Sequence, residues 1–160
     1  GTYEISDVGG AINMVADDSD ISVKNATGED FSFKIDDGNI HMDKGQGKLA
    51  VTIDDGEFRL DNGRFSEIDV TGDDASLFFA TGLSDAGKYY FGIDDGDLEL
   101  DILDGGGSID IIHDDTDINT TGTFNKVSNE EKRTVYNVNG GNASIEIESD
   151  DGDIVLRNNE

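Results

Sequence analysis

The 160-residue chain has no cysteine, no proline and no tryptophan, and only 11 Lys+Arg stand against 37 Asp+Glu. Without cysteine there are no disulfides, no thiol catalysis and no Cys-ligated zinc or iron–sulfur sites. Average usage would give a chain of this length about 8 prolines. Proline is excluded where a ladder uses every backbone N–H. The shortage of cations leaves a formal charge of −26. Such a surface repels phosphate backbones and anionic lipid heads, which argues against nucleic-acid binding and against direct docking on anionic membranes. No apolar run approaches the ~20 residues of a membrane-spanning helix, no secretory leader is visible, and no segment carries a helical stripe. Gly1-Thr2-Tyr3-Glu4-Ile5 begins almost directly in strand-like alternation, which fits a mature segment whose leader has been removed.

Aspartate is abundant, with 27 of the 37 acids, and glycine numbers 21. Aspartate and glycine belong to turns rather than helices. The aspartates are not scattered. A pair followed by a small residue recurs at Asp17-Asp18-Ser19, Asp36-Asp37-Gly38, Asp54-Asp55-Gly56, Asp73-Asp74-Ala75, Asp94-Asp95-Gly96, Asp114-Asp115-Thr116 and Asp150-Asp151-Gly152. Successive intervals are 19, 18, 19, 21, 20 and 36 residues, the last close to two periods. Three and five residues before each pair, and four and six after its first member, 27 of 28 positions are apolar or aromatic, with Thr120 the exception. The residues between them are mostly polar, as in strands with one buried face. The chain reads as one all-β repeat domain over residues 1–160.

Two architectures satisfy the pattern. In a flattened β-solenoid, a single-stranded β-helix, each unit of about 19 residues is one coil, and equivalent strands stack in parallel with the Asp-Asp turns along one edge. In an antiparallel meander or sandwich each Asp-Gly is a hairpin turn. The solenoid is favoured, because the period suits a coil and the turns repeat by type. One period after Asp114 lies Lys132-Arg133, within a stretch that reads as a degenerate coil or a protruding hairpin. As a coil it would place this basic pair in the acidic column, between Asp114/Asp115 and Asp150/Asp151. Exposed terminal coils could also stack end to end, since unpaired edges invite pairing.

The stretch Val135-Tyr136-Asn137-Val138-Asn139-Gly140-Gly141, followed by Ser144-Ile145-Glu146-Ile147-Glu148-Ser149-Asp150-Asp151-Gly152-Asp153-Ile154-Val155-Leu156, resembles the bacterial adhesin-type β-repeat domains called toast-rack domains. Similar cores recur at Asp37-Gly38-Asn39-Ile40 and Asp95-Gly96-Asp97-Leu98. The chain departs from that pattern in its Asp-Asp pairs, where Ser or Thr is more usual, and in its acidity. The resemblance implies an exported β-helical domain at the cell surface or in the periplasm, with an unknown protein or glycan partner at the envelope. It offers no catalytic residues to carry over.

Stacked coils would bring like carboxylates to about 4.8 Å. Repulsion at that distance is about 0.9 kcal/mol per pair in water and about 3.5 at an effective dielectric of 20. The larger figure would favour a bound cation, and calcium suits oxygen-only sites. Asp37, Asp55, Asp74, Asp95 and Asp115 are the candidate ligands; otherwise no cofactor is expected. Asp115-Thr116-Asp117-Ile118-Asn119 starts an EF-hand pattern, but Thr120 stands where glycine is required. Paired carboxylates could serve a carbohydrate-active β-helix enzyme, yet among 37 of them any two can be matched. His41 and His113 lie on different units and make no zinc site. Gly45-Gln46-Gly47 mimics a dinucleotide fingerprint, but a strand follows rather than a helix. Phe78 and Tyr90 point outward beside the loop 80–87 and are the candidate ligand contacts, though a two-walled solenoid would place them on opposite walls.

Overall fold

A computed structural model describes residues 2–158. It contains eight strands and no helix: β1 (Thr2–Ser6), β2 (Ile12–Lys24), β3 (Asp30–Thr81), β4 (Lys88–Ile102), β5 (Gly107–Thr121), β6 (Asn125–Glu130), β7 (Arg133–Val138) and β8 (Ala143–Asn158). Drawn straight, the 52 residues of β3 would span about 170 Å at ~3.3 Å each. Instead the chain bends at every Asp-Asp pair. Ile35 points inward, Asp36 and Asp37 both point out, and Ile40 points inward again, so the alternation slips by one at the corner. Each coil thus has a first arm before its aspartates and a second arm after them, in facing walls. Aromatic rings record the facing: Phe33 on a first arm lies 6.2 Å from Phe58 on a second arm, and Phe79 lies 5.0 Å from Phe91.

The flattened solenoid is therefore the fold, and the meander is set aside: β1–β2, β2–β3, β3–β4, β4–β8 and β5–β8 all pair in parallel. All the flanking positions predicted to face inward are buried except Met14, Ile118 and Thr120. Those three lie in the end coils. A further inward row, Ile35, Ile53 and Ile93, sits one residue before the aspartates.

Two features differ from a simple succession of coils. First, the strand order is β1-β2-β3-β4-β8-β5-β7-β6, so β8 is inserted between β4 and β5. Ile145, Ile147, Ile154 and Leu156 give β8 a full inward row suited to an interior level, all at most 1% exposed. The second arm of β5, with Thr120 exposed, suits an edge. Gly105-Gly106-Gly107 carries the chain past the level that β8 fills. A Cβ on Gly107 would stand 2.0 Å from the Ala143 carbonyl oxygen, and one on Gly106 would stand 2.2 Å from that of Val138. Second, residues 125–138 are not a coil. They form an antiparallel β6–β7 hairpin, with β7 running antiparallel along the first arm of β5. The basic pair is therefore outside the aspartate column. Arg133 donates two hydrogen bonds to Asp110, at 2.9 and 2.7 Å, and Lys132 Nζ reaches Asp114 from the hairpin turn at 3.4 Å.

On the opposite edge the return loops repeat a left-handed residue at Asn25, Lys44 and Asn62 (φ 53°, 67° and 57°). Asparagine tolerates that region. Its amide also ties neighbouring coils: Asn25 donates to Asp7 at 3.2 Å and Asn62 to Asp43 at 3.1 Å. The longest return loop, around Leu83, is pinned inward. Its Ser84 N–H donates to the Tyr89 hydroxyl at 2.8 Å, which donates to the Phe65 carbonyl at 2.6 Å.

Candidate functional site

The Asp-Asp corners form one exposed acidic edge. The five interior corners, from 36/37 to 94/95 and 150/151, each sit at the junction of two buried arms, so the core fixes their place. Register pairs Asp18 with Asp37, Asp95 with Asp151, and Asp115 with Asp151. The third turn residue lies against its neighbour's backbone. A Cβ on Gly56 would come within 1.8 Å of the Gly38 carbonyl oxygen, and one on Gly152 equally close to that of Gly96. Along the edge the pairs run 17/18, 36/37, 54/55, 73/74, 94/95, 150/151, 114/115.

Of the five candidate cation ligands, Asp37, Asp55, Asp74 and Asp95 follow one another on this edge, while Asp115 is separated from Asp95 by Asp151. Sequence order had made Asp95 and Asp115 neighbours; the insertion of β8 explains the difference. The arrangement is a file rather than a cage. Among the described residues no group of three or more His, Cys, Asp or Glu side chains converges to hold a metal ion.

Crowding shows in the proton affinities. The Asp95 carboxyl is pushed up, because the adjoining turns thin its water shell and because Asp94, Asp151, Asp74 and Asp73 surround it. Asp150 is pushed up by sharing a hydrogen bond with Asp94, then by that residue's charge, with Lys132 opposing. Both carboxyls hold protons more tightly folded than unfolded. Stability from these two groups therefore falls as pH rises through the window above 3.8, and the penalty is complete at neutral pH. Asp61 runs the other way. Burial pushes its carboxyl up, but hydrogen bonds from Arg59 and His41 outweigh that and hold it below 3.8. Its contribution is present above 3.8 and is lost as pH falls through the folded value. Asp150→Asn is expected to raise the Tm at pH 7 in low salt. The gain should shrink toward pH ~4 and be smaller at ~1 M salt, where the Debye length is about 3 Å. Thermal melts across that grid check it, and a variant less stable than the parent at pH 7 in low salt would refute the crowding.

Phe78 and Tyr90 are not brought together. Phe78 lies on a second arm and is half-buried, with the Arg59 guanidinium 4.5 Å above its ring centroid. Tyr90 lies on a first arm, donates its hydroxyl to Glu148 at 3.1 Å, and covers Gly92, whose Cβ would meet the Tyr90 hydroxyl at 2.9 Å. An aromatic laid over a strand glycine supplies the contact area that glycine lacks. The Arg59 partner was readable, since it stands one 19-residue period before Phe78. His41 reaches Asp61 at 2.8 Å, and His113 lies 3.0 Å from the Thr134 hydroxyl at the hairpin. The two histidines share no site.

No curated protein and no solved structure matches the chain. One family model does, described as Toastrack DUF4097, and it spans residues 9–157. Parallel coils, recurring corners and that near-complete match agree: the chain belongs to the Toastrack DUF4097 family.

Proposed function

We propose that the chain is a non-catalytic extracytoplasmic domain that presents a rigid acidic edge to a protein or glycan partner at the cell envelope, in adhesion or envelope interaction. The observation that carries this reading is the single file of Asp-Asp corners, the five interior ones anchored by buried arms on both sides. A fixed row of like charges on a stiff core is a surface for recognising a cationic partner. Glycoside hydrolysis needs two carboxyl groups facing each other across the scissile bond. Carboxylates in file along an exposed edge do not face one another in that way, which supports a binding role.

The test uses the folded chain and a variant with Asp37, Asp55, Asp74 and Asp95 all changed to Asn. The parent is expected to bind envelopes of the source cells in low salt, and the variant is expected to lose most of that binding while melting no lower than the parent, since relief of crowding at Asp95 raises its Tm. Protease accessibility on intact cells checks the compartment. A cytoplasmic chain, or binding indifferent to the four substitutions, would sink the proposal. A second reading, a cation-responsive signalling module, is favoured by the raised carboxyls of Asp95 and Asp150, whose repulsion a divalent ion would relieve. Saturable calcium heat with a rise in Tm supports that reading; no heat supports simple display.

A further inference from the structure

The second-arm wall changes character at its middle. Its outward residues are mostly charged, but at one level they are Ser76 and Phe78. The preceding coil turns out Glu57 and Arg59, and β4 turns out Asp97 and Glu99, paired with Ser76 and Phe78. Next comes the inserted β8, whose Asp153 and Val155 pair with Asp97 and Glu99. A short side chain and a half-buried ring between longer charged rows leave a shallow groove of about 410 Å³, floored by Ser76, Phe78 and Val155. Topology builds it. In chain order Asp117 and Asn119 of β5 would stand where Asp153 and Val155 do.

Four carboxylates and one guanidinium line the groove. Arg59 is already held by Asp61 at 3.1 Å, and Glu99 is paired with Arg157. Among the described residues no cation forms an ion pair with Glu57, Asp97 or Asp153. Asp97 and Asp153 stand on adjacent strands, about 4.8 Å apart along the backbone ladder. Asp97 Oδ1 accepts the Asp153 backbone N–H at 3.2 Å, which steadies the pair. The groove thus joins an apolar floor to negative charge that nothing in the chain balances. The groove over Ala50 on the opposite wall has no such floor, since its one ring, Phe31, is buried.

We propose that this groove binds a basic peptide segment of the envelope partner. An arginine or lysine of that segment lays its aliphatic stem along Phe78 and Val155 and brings its charged head to Asp97 and Asp153. Long basic side chains combine those two parts, an apolar stem and a cationic tip. The inference rests on the envelope-binding reading for the existence of a partner, and it makes that partner a protein with a second contact away from the acidic edge. Other occupants fit less well. No three acidic or histidine side chains converge on a metal position among the described residues. A sugar stacks on an open aromatic face, whereas the Arg59 guanidinium stands 4.5 Å above the Phe78 centroid. A neutral sugar would also leave the three carboxylates unbalanced.

Heteronuclear NMR of the folded chain tests the site in about 150 mM NaCl, where the Debye length is about 8 Å and diffuse attraction to the edge is damped. The probes are a capped tripeptide with arginine between glycines and its uncharged citrulline isostere. The arginine peptide is expected to give saturable shifts centred on Ser76, Phe78, Asp97 and Val155, and the citrulline peptide to bind at least about tenfold more weakly. Asp97→Asn combined with Asp153→Asn should weaken the arginine peptide by at least about tenfold as well. The variant with Asp37, Asp55, Asp74 and Asp95 changed to Asn should lose less, although it removes twice as many charges. Both substituted aspartates are exposed, an asparagine oxygen can still accept the backbone N–H, and melting curves verify that the variants fold. No saturable shift at up to about 10 mM peptide, tenfold beyond the millimolar range of a weak contact, overturns the proposal. Equal binding of the citrulline peptide, or saturable binding of neutral chitotriose in the groove instead, does the same. A loss confined to the edge variant would remove the groove and leave the acidic edge as the contact. Groove binding by the peptide in a chain that ignores envelopes would uphold the site and sink only the envelope reading.

Discussion

Phe79→Ala is expected to cost about 3–5 kcal/mol, the range for truncating a buried phenylalanine. For a domain of this size that is a fall in Tm of about 6–20 °C, at ~2–4 °C per kcal/mol. Phe79 is fully buried between Phe58, stacked at 5.3 Å with 19° between ring planes, and Phe91, edge-on at 5.0 Å. Phe58 in turn meets Phe33 at 6.2 Å, so the rings form a ladder that crosses from wall to wall through successive coils. Removing a middle rung leaves a cavity that the neighbours cannot close, because each is held by its own parallel pairing. Phe78→Ala provides the contrast one residue away. Its half-buried ring carries the Arg59 guanidinium, an interaction worth about 0.5–1 kcal/mol near a surface. Denaturant and thermal unfolding of both variants check the pair. Equal losses would mean that the inward ladder is not what joins the coils.

Gly152→Val should be comparably severe, about 3–5 kcal/mol, the upper range for single substitutions. Two causes combine. The backbone there has φ +135°, which L residues rarely adopt, and an added Cβ would stand 1.8 Å from the Gly96 carbonyl oxygen. The side chain cannot move away, since position 152 is paired with Gly96 on one side and Thr116 on the other. Relief requires β8 to leave its neighbours. Limited proteolysis of the variant should therefore cut within residues 103–142 well before it cuts within 2–102. Gly140→Ala separates strain from close approach. Gly140 also has positive φ, +61°, but nothing lies within 4 Å of its Cβ position. It should cost only about 1–2 kcal/mol, the left-handed penalty alone. If Gly140→Ala proved as damaging as Gly152→Val, the packing of the corners would not be the cause.

Much of this architecture was legible in the residues. Period-two alternation on both sides of each Asp-Asp pair specified arms and inward rows, because an error of one residue would turn every apolar side chain outward. The same rule explains why Met14, Ile118 and Thr120 depart from it: end coils lack a neighbour to bury them. The place of β8 was hidden for a different reason. Parallel coils with matching alternation are interchangeable partners, so periodicity fixes register without fixing which coil lies beside which. Two signals pointed to the answer, Thr120 as a weak inward residue and the Gly105-Gly106-Gly107 run as a crossing point, but neither names the strand that fills the gap. In the acidic edge, residue identity showed which carboxylates share a side, while their order required the topology. Phe78 and Tyr90 were correctly outward, yet Arg59 and Gly92 take up part of each ring's surface.

The interior position of β8 has a consequence in time. During synthesis, β2, β3 and β4 can each settle on a level already laid by the preceding residues. β5 cannot, because the floor it belongs on is encoded downstream. From residue 121 to residue 158 the ribosome adds 37 residues, a delay of roughly 2–7 s at ~5–20 residues per second. Throughout that interval the upper rim of β4 offers β5 a counterfeit berth with matching alternation. Completion of the domain then depends on a latecomer wedging two earlier segments apart.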